Sequence, residues 1–160
     1  MTCFAIHIFR QIVRALNDSR KSVAVTGTTG MASLNHAGGT TLHHWLGVGD
    51  GRFDSDSLVA AITSEDRYSS TRTRIINSDV LIIDEIGMLS RKTFDQCEYV
   101  CRKVRRRELA FGGLQVIVAG DFRQLPPVPN RHYGDSGDYC FQSATFHDVF
   151  PHKFHLTKVH

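Results

Sequence analysis

Three short runs in this chain, "SVAVTG" (22–27), "DVLIIDE" (79–85) and "GLQVIVAGD" (113–121), are apolar almost from end to end instead of alternating apolar and polar. A strand of that kind must be buried on both faces, and such strands belong to parallel sheets covered by helices above and below. The intervening segments fit. Phe4, Ile8, Ile12 and Leu16, with Ile6, Phe9 and Val13 beside them, make a wide helical stripe closed by Asn17 and Asp18. "TGMASLNHAGG" reads as a helix stopped by Gly38-Gly39, residues 56–64 and 69–78 as helices with a polar break between them, and about Lys92 to Arg107 as a long helix. "TTLHHWLGVGDG" reads as turn and loop, "LPPVPN" as a proline-stiffened loop, "GDSGD" as another loop, 143–149 as a short helix and "KFHLTKV" as a last strand. The expected fold class is α/β, a parallel sheet with helices on both faces, in one domain across residues 1–160 with no linker.

Composition narrows the function only a little. Hydrophobic residues make up 41% and charged residues 22%, an ordinary globular balance. A net charge of +3 permits an anionic partner without demanding one. No apolar run approaches the length of a membrane span, so no membrane partner is expected. Cys3, Cys97, Cys101 and Cys140 show no disulfide-like spacing, which favours a reducing compartment. Cys97 and Cys101, four apart on a helix, read as buried thiols, because two ligands do not make a zinc site. "RKVRRRE" (102–108) reads as a solvated helix end or as a patch for DNA.

The chemistry sits where the strands stop. Ligands of parallel α/β sheets bind at the carboxyl ends of the strands. Here three strands end in Thr26-Gly27, Asp84-Glu85 and Gly120-Asp121, so these pairs should converge on one edge. Asp84 is suited to hold magnesium and Glu85 to orient or deprotonate an attacking water. Two solvated acids before a turn account for the dipeptide equally well. "AGDFRQLPPV" (119–128) adds Gln124, whose amide can both donate and accept near a γ-phosphate. "VTGTTGMAS" (25–33) offers hydroxyls and open backbone donors at a helix start, fitting the phosphates of a nucleic-acid strand or plain capping by Thr28 or Thr29. Trp45, in "GGTTLHHWLG", could stack on a base but is better suited to anchor a core.

Taken in order, "TGTTGMAS", "GGTTLHHWLGVG", "LIIDEIGML", "FGGLQVIVAGDFRQLPPV", "YCFQS" and "LTKVH" resemble the petite-integration-frequency (PIF) DNA helicases over almost the whole chain. These are superfamily 1, RecD-like enzymes that move 5′ to 3′ on single-stranded DNA. Helicase segments of Helitron-type transposons look similar. The resemblance implies a RecA-like first motor domain working with a second one, ATP and Mg2+ as cofactors, and single-stranded and duplex DNA as partners. It assigns Asp84 and Glu85 to the Walker B pair and Gln124 to the motif that senses the γ-phosphate. It places Thr26, Thr28, Thr29, Gly30 and His43 on DNA-contacting motifs. Repair, recombination and telomere maintenance are the implied settings, and the nucleus the implied compartment, with the mitochondrion as alternative because the first residues are basic and amphipathic.

The sequence departs from the family pattern in places. Family members usually carry serine where Gly87 stands, and "ASLNHAGG" is one residue longer than the usual spacing. The family's phosphate loop ends in glycine-lysine-threonine or glycine-lysine-serine before an apolar helix. Thr2 falls on its magnesium-binding hydroxyl and Met1 where lysine belongs, while "LTKVH" stops just before the family's motif IV arginine. The expectation is therefore a motor domain lacking the phosphate-loop strand. Residues 114–119 should have an open edge beside an apolar gap, and the isolated chain should be inactive. The rival readings are a non-catalytic single-stranded DNA-binding module and a transposon relic.

Overall fold

In a computed structural model, residues 2–34, 36 and 38–155 are described, with side chains from residue 7 onward. Helix α1 spans Thr2–Asp18 and leads into β1 (Val23–Gly27). Short α2 (Gly30–Leu34) and β2 (Thr40–Thr41) follow, then α3 (Leu42–Leu46), α4 (Ser55–Ser64) and α5 (Ser69–Asn77). Strand β3 (Val80–Asp84), α6 (Arg91–Val104), β4 (Gln115–Val118) and α7 (Phe146–Val149) complete the described α-helices and strands. All strand pairings are parallel, in the order β2-β1-β3-β4, with Gly27 opposite Asp84 and Ile83 opposite Val118.

Alternation along the strands feeds two cores. Leu81 and Ile83 of β3, Ala24 of β1, and Val116 and Val118 of β4 face a large cluster built with α3 to α7. Val80 and Ile82, with Val23, Val25 and Ile117, face Phe9, Ile12, Val13 and Leu16 of α1. Every residue of β3 is buried, as its unbroken apolar run requires. β4 lies at the edge of the described sheet, with Gln115 exposed and the next three residues half-buried, as expected for 114–119.

Several boundaries differ from the sequence reading. "TTLHHWLG" is not a loop: Thr41 accepts the His44 N–H at 3.1 Å, and Gly47 ends the five-residue helix in a left-handed conformation at φ 77°. Trp45 is buried inside, a core anchor as its chemistry suggested. α2 stops at Leu34, well short of Gly38-Gly39, and α6 stops at Val104. β4 is four residues long where nine were expected. Residues 153–155 form no strand, and Leu156–His160 lie outside the described residues.

The basic run after α6 is mostly consumed internally. Arg102 pairs with Glu98 and Glu108, and Lys103 with Glu108. Arg105 donates to the carbonyls of Ile75, Ile76, Ser78 and Gly112, fastening the end of α5 to α6. That leaves Arg106 and Arg107 as the exposed remainder. Cys97, Cys101 and Cys140 are free and buried.

Candidate functional site

Parallel pairing brings the ends of β1 and β3 and the turn after β4 to one edge, as the strand termini predicted. The Thr28 N–H donates to the Asp84 carbonyl at 3.2 Å and its hydroxyl to the Glu85 carbonyl at 2.9 Å. The Ile86 N–H donates to the Ala119 carbonyl at 2.9 Å, pinning the acidic turn to the third strand end. Two glycines permit that approach. A Cβ on Gly87 would stand 2.7 Å from the Asp121 carbonyl oxygen, and one on Gly120 would stand 2.8 Å from the Ile86 nitrogen. The departure from serine at 87 thus goes with a backbone junction too close for any side chain.

Asp84 is buried, and both its oxygens are engaged. Oδ1 accepts the Glu85 N–H at 2.9 Å, and Oδ2 lies 2.9 Å from Nε2 of His36. Glu85 is half-buried and left-handed at φ 57°, a backbone state that costs a residue with a side chain about 1–3 kcal/mol. Burial raises its carboxyl above the usual range, and the neighbouring charges of Asp84 and Asp121 raise it further. A turn holds Asp121, whose carboxyl accepts the Arg123 N–H and is kept low by it. Gln124 follows in the same turn, its N–H on the Asp121 carbonyl and its side chain exposed.

The residues expected to meet DNA fall into three settings. Thr26 is fully buried and donates its hydroxyl to the Ile82 carbonyl at 2.8 Å, so its side chain ties β1 to β3. Thr29 accepts the Ala32 N–H at 3.1 Å, capping α2, and Gly30 opens onto free space at its start. Thr28 and His43 come together on a cavity of about 190 Å³ shared with Lys92, Gln96, Tyr133 and Asp135. Burial lowers the His43 imidazole while Asp135 opposes it, which favours a neutral ring that both donates and accepts.

Among the described residues, no group of three or more His, Cys, Asp or Glu is placed to hold a metal. Magnesium asks less: one or two carboxylates, waters and substrate phosphates. Asp84 fits that chemistry as an oxygen donor, but its Oδ2 already faces His36. The Thr2 side chain, the other expected magnesium ligand, lies outside the described residues. His36 was missed by the sequence reading, and its one trace there was the extra residue in "ASLNHAGG".

A family model described as PIF1-like helicase matches residues 5–159. The ATP-dependent DNA helicase RRM3 of Saccharomyces cerevisiae is 37% identical over 155 residues, covering 95% of this chain and 21% of that protein. The ATP-dependent DNA helicase PIF1 of Homo sapiens is 40% identical over 134 residues, 84% of this chain and 20% of that one. The chain therefore spans about a fifth of the length of these curated relatives. The crystal structure of Pif1 helicase from Candida albicans superposes with a TM-score of 0.79 at 34% identity, over 90% of this chain and 31% of that one. Bacteroides Pif1 in complex with ADP-AlF3 and ssDNA superposes at 0.62 with 31% identity, over 79% and 30%. The parallel sheet with its helices is RecA-like α/β.

Proposed function

The chain belongs to the PIF1-like helicase family, and from that premise we propose that residues 1–160 serve as part of the first motor domain of an ATP-dependent DNA helicase moving 5′ to 3′. The observation that carries this reading is the convergence of Asp84, Glu85 and the Asp121–Gln124 turn on the sheet edge that also presents Thr28. It puts acidic groups and a strand-facing groove within one rigid junction.

In this reading Asp84 would hold a magnesium ion through a bound water, and such an ion would neutralise charge on the phosphates of ATP. Glu85, with its raised carboxyl, accepts a proton from the attacking water. Gln124 projects from the proline-stiffened turn to sense the γ-phosphate. Thr29, Gly30 and the Thr28–His43 groove receive the backbone of single-stranded DNA. Because Thr28 bonds directly to the backbone of both acids, a strand pressing on the groove is felt at the hydrolytic end. A second motor domain completes the grip on DNA and duplex separation. The nucleus is the proposed compartment, and repair, recombination and telomere maintenance the proposed settings.

In a longer protein containing these residues, Glu85→Gln should cut DNA-stimulated ATP hydrolysis by about 10²–10⁴-fold while leaving ATP and single-stranded DNA binding in place. Hydrolysis within a few-fold of the parent would remove Glu85 from the mechanism. The 160 residues contain no glycine-lysine pair, so the purified chain should bind single-stranded DNA yet hydrolyse little ATP. Robust DNA-stimulated turnover by it would refute this.

A further inference from the structure

The cavity behind Thr28 and His43 is built for something other than the phosphate backbone assigned to its rim. Among the described residues that line it, two carboxylates, Asp50 and Asp135, stand with one cation, Lys92, whose ammonium already donates to the Tyr133 carbonyl. Phosphate sites gather cations and open backbone N–H groups instead. The apolar part of the wall comes from three separate segments, as Val48, Met88 with Leu89, and Val128. At about 190 Å³ the cavity is smaller than the about 300 Å³ at which pockets for whole small molecules begin. It admits one ring system and excludes a complete nucleotide.

Gln96 defines what that ring system must carry. The residue is only 4% exposed, and its Nε2 donates to the Phe53 carbonyl at 2.9 Å. That bond fixes the amide and leaves Oε1 as an acceptor with no donor among the described residues. Nε of Arg74 is the one side-chain polar atom there that is sealed in without a partner, so the Gln96 oxygen opens on the cavity. An acceptor held in so confined a site is costly until a donor reaches it. Asp135 is fixed as well, its Oδ2 taking the Ser90 hydroxyl at 2.6 Å and its Oδ1 the Gly137 N–H at 3.0 Å, and each oxygen keeps a further lone pair. The wall therefore calls for N–H donors on a flat group with apolar faces. An unstacked base offers both, and the His43 and Tyr133 rings stand at the same wall.

We propose that this cavity holds one unstacked base of the single strand, its N–H edge toward Gln96 and its faces against Val48, Met88 and Val128, while the phosphates stay outside on Thr28, Thr29 and Gly30. The base site rests on the reading of the Thr28–His43 groove as a path for single-stranded DNA. It makes the grip on that strand depend on a base as well as on the backbone.

The test is equilibrium binding of two labelled oligonucleotides to the purified chain, read by fluorescence anisotropy. One is an oligothymidine strand, and the other is the same backbone with every base removed. The parent is compared with Gln96→Met, Met88→Trp and Thr28→Ala, and thermal melting establishes that each variant is folded. Methionine keeps the volume of glutamine without its amide, and tryptophan at the half-buried position 88 fills the cavity. The parent should bind the thymidine strand about tenfold or more tightly than the abasic one. That ratio should fall severalfold in Gln96→Met and in Met88→Trp, with affinity for the abasic strand unchanged. Thr28→Ala should weaken both strands alike and keep the ratio. A parent that binds the two strands equally, or a folded Gln96→Met or Met88→Trp that keeps the parent's ratio, would overturn the base site while leaving the groove reading intact. Binding of neither strand by the parent would overturn the groove reading and the base site with it.

Discussion

The two faces of the sheet share their strands and differ in almost everything else. On one face, Phe94 sits at the centre of an aromatic group with Phe111, Phe146 and Phe150, at centroid distances of 5.6, 5.5 and 6.1 Å, under five helices. On the other, α1 lays Phe9 and three half-buried side chains over Val80 and Ile82. The thick face fixes where β3 ends. The thin face carries Phe9 against the His36 ring, whose Nε2 lies 2.9 Å from Oδ2 of the terminal aspartate. Thick and thin packing are thus divided between opposite sides of one strand.

That division can be broken from either side. Phe94→Ala should be the most damaging change, toward the upper end of the about 3–5 kcal/mol typical of buried phenylalanine truncation, read by denaturant unfolding. Phe9→Ala should fall near the lower end of that range, because its cluster is the smaller one. Equal losses would erase the distinction. Gly87→Ser, which restores the residue usual in the family, should cost about 1–3 kcal/mol here because the new Cβ meets the Asp121 carbonyl at 2.7 Å. A neutral or stabilised variant would mean that the junction gives way easily.

The smallest effect sharpens the comparison by pH. The Glu85 carboxyl is raised in the fold, so ionising it opposes folding. The fold is free of this penalty below the ordinary glutamate range. The penalty grows as pH rises through that range and is complete above the raised value. Glu85→Gln should therefore melt about 1–2 °C higher than the parent at pH 7, with the gain gone near pH 4. A gain that persisted in acid would place its origin in the left-handed backbone instead.

The sequence disclosed what repeats or runs. β3 was plain because five consecutive buried residues leave no polar side to confuse, and α1 was plain because its stripe extends over several turns. The convergence of Thr26-Gly27, Asp84-Glu85 and Gly120-Asp121 followed once the strands were taken as parallel. α3 stayed hidden because five residues are too few to show a period, although its Thr41 and Gly47 caps were in view. The orientation of Thr26 was not legible for a related reason: a hydroxyl at a strand end looks the same whether it faces a ligand or a neighbouring carbonyl. His36 could not be found by spacing at all, since its partner is 48 residues away and the contact depends on a turn.

Pairing Val23–Gly27 with Val80–Asp84 has a consequence for how the chain reaches this state. The two strands lie more than fifty residues apart in sequence, so joining them closes a long loop before any contact rewards it. The helices between them can form and associate first, through contacts closer in sequence. Every hydrogen bond linking Thr28 to the acids waits for that closure. The site should thus be among the last parts of the molecule to become ordered, and an intermediate rich in helix should contain none of it.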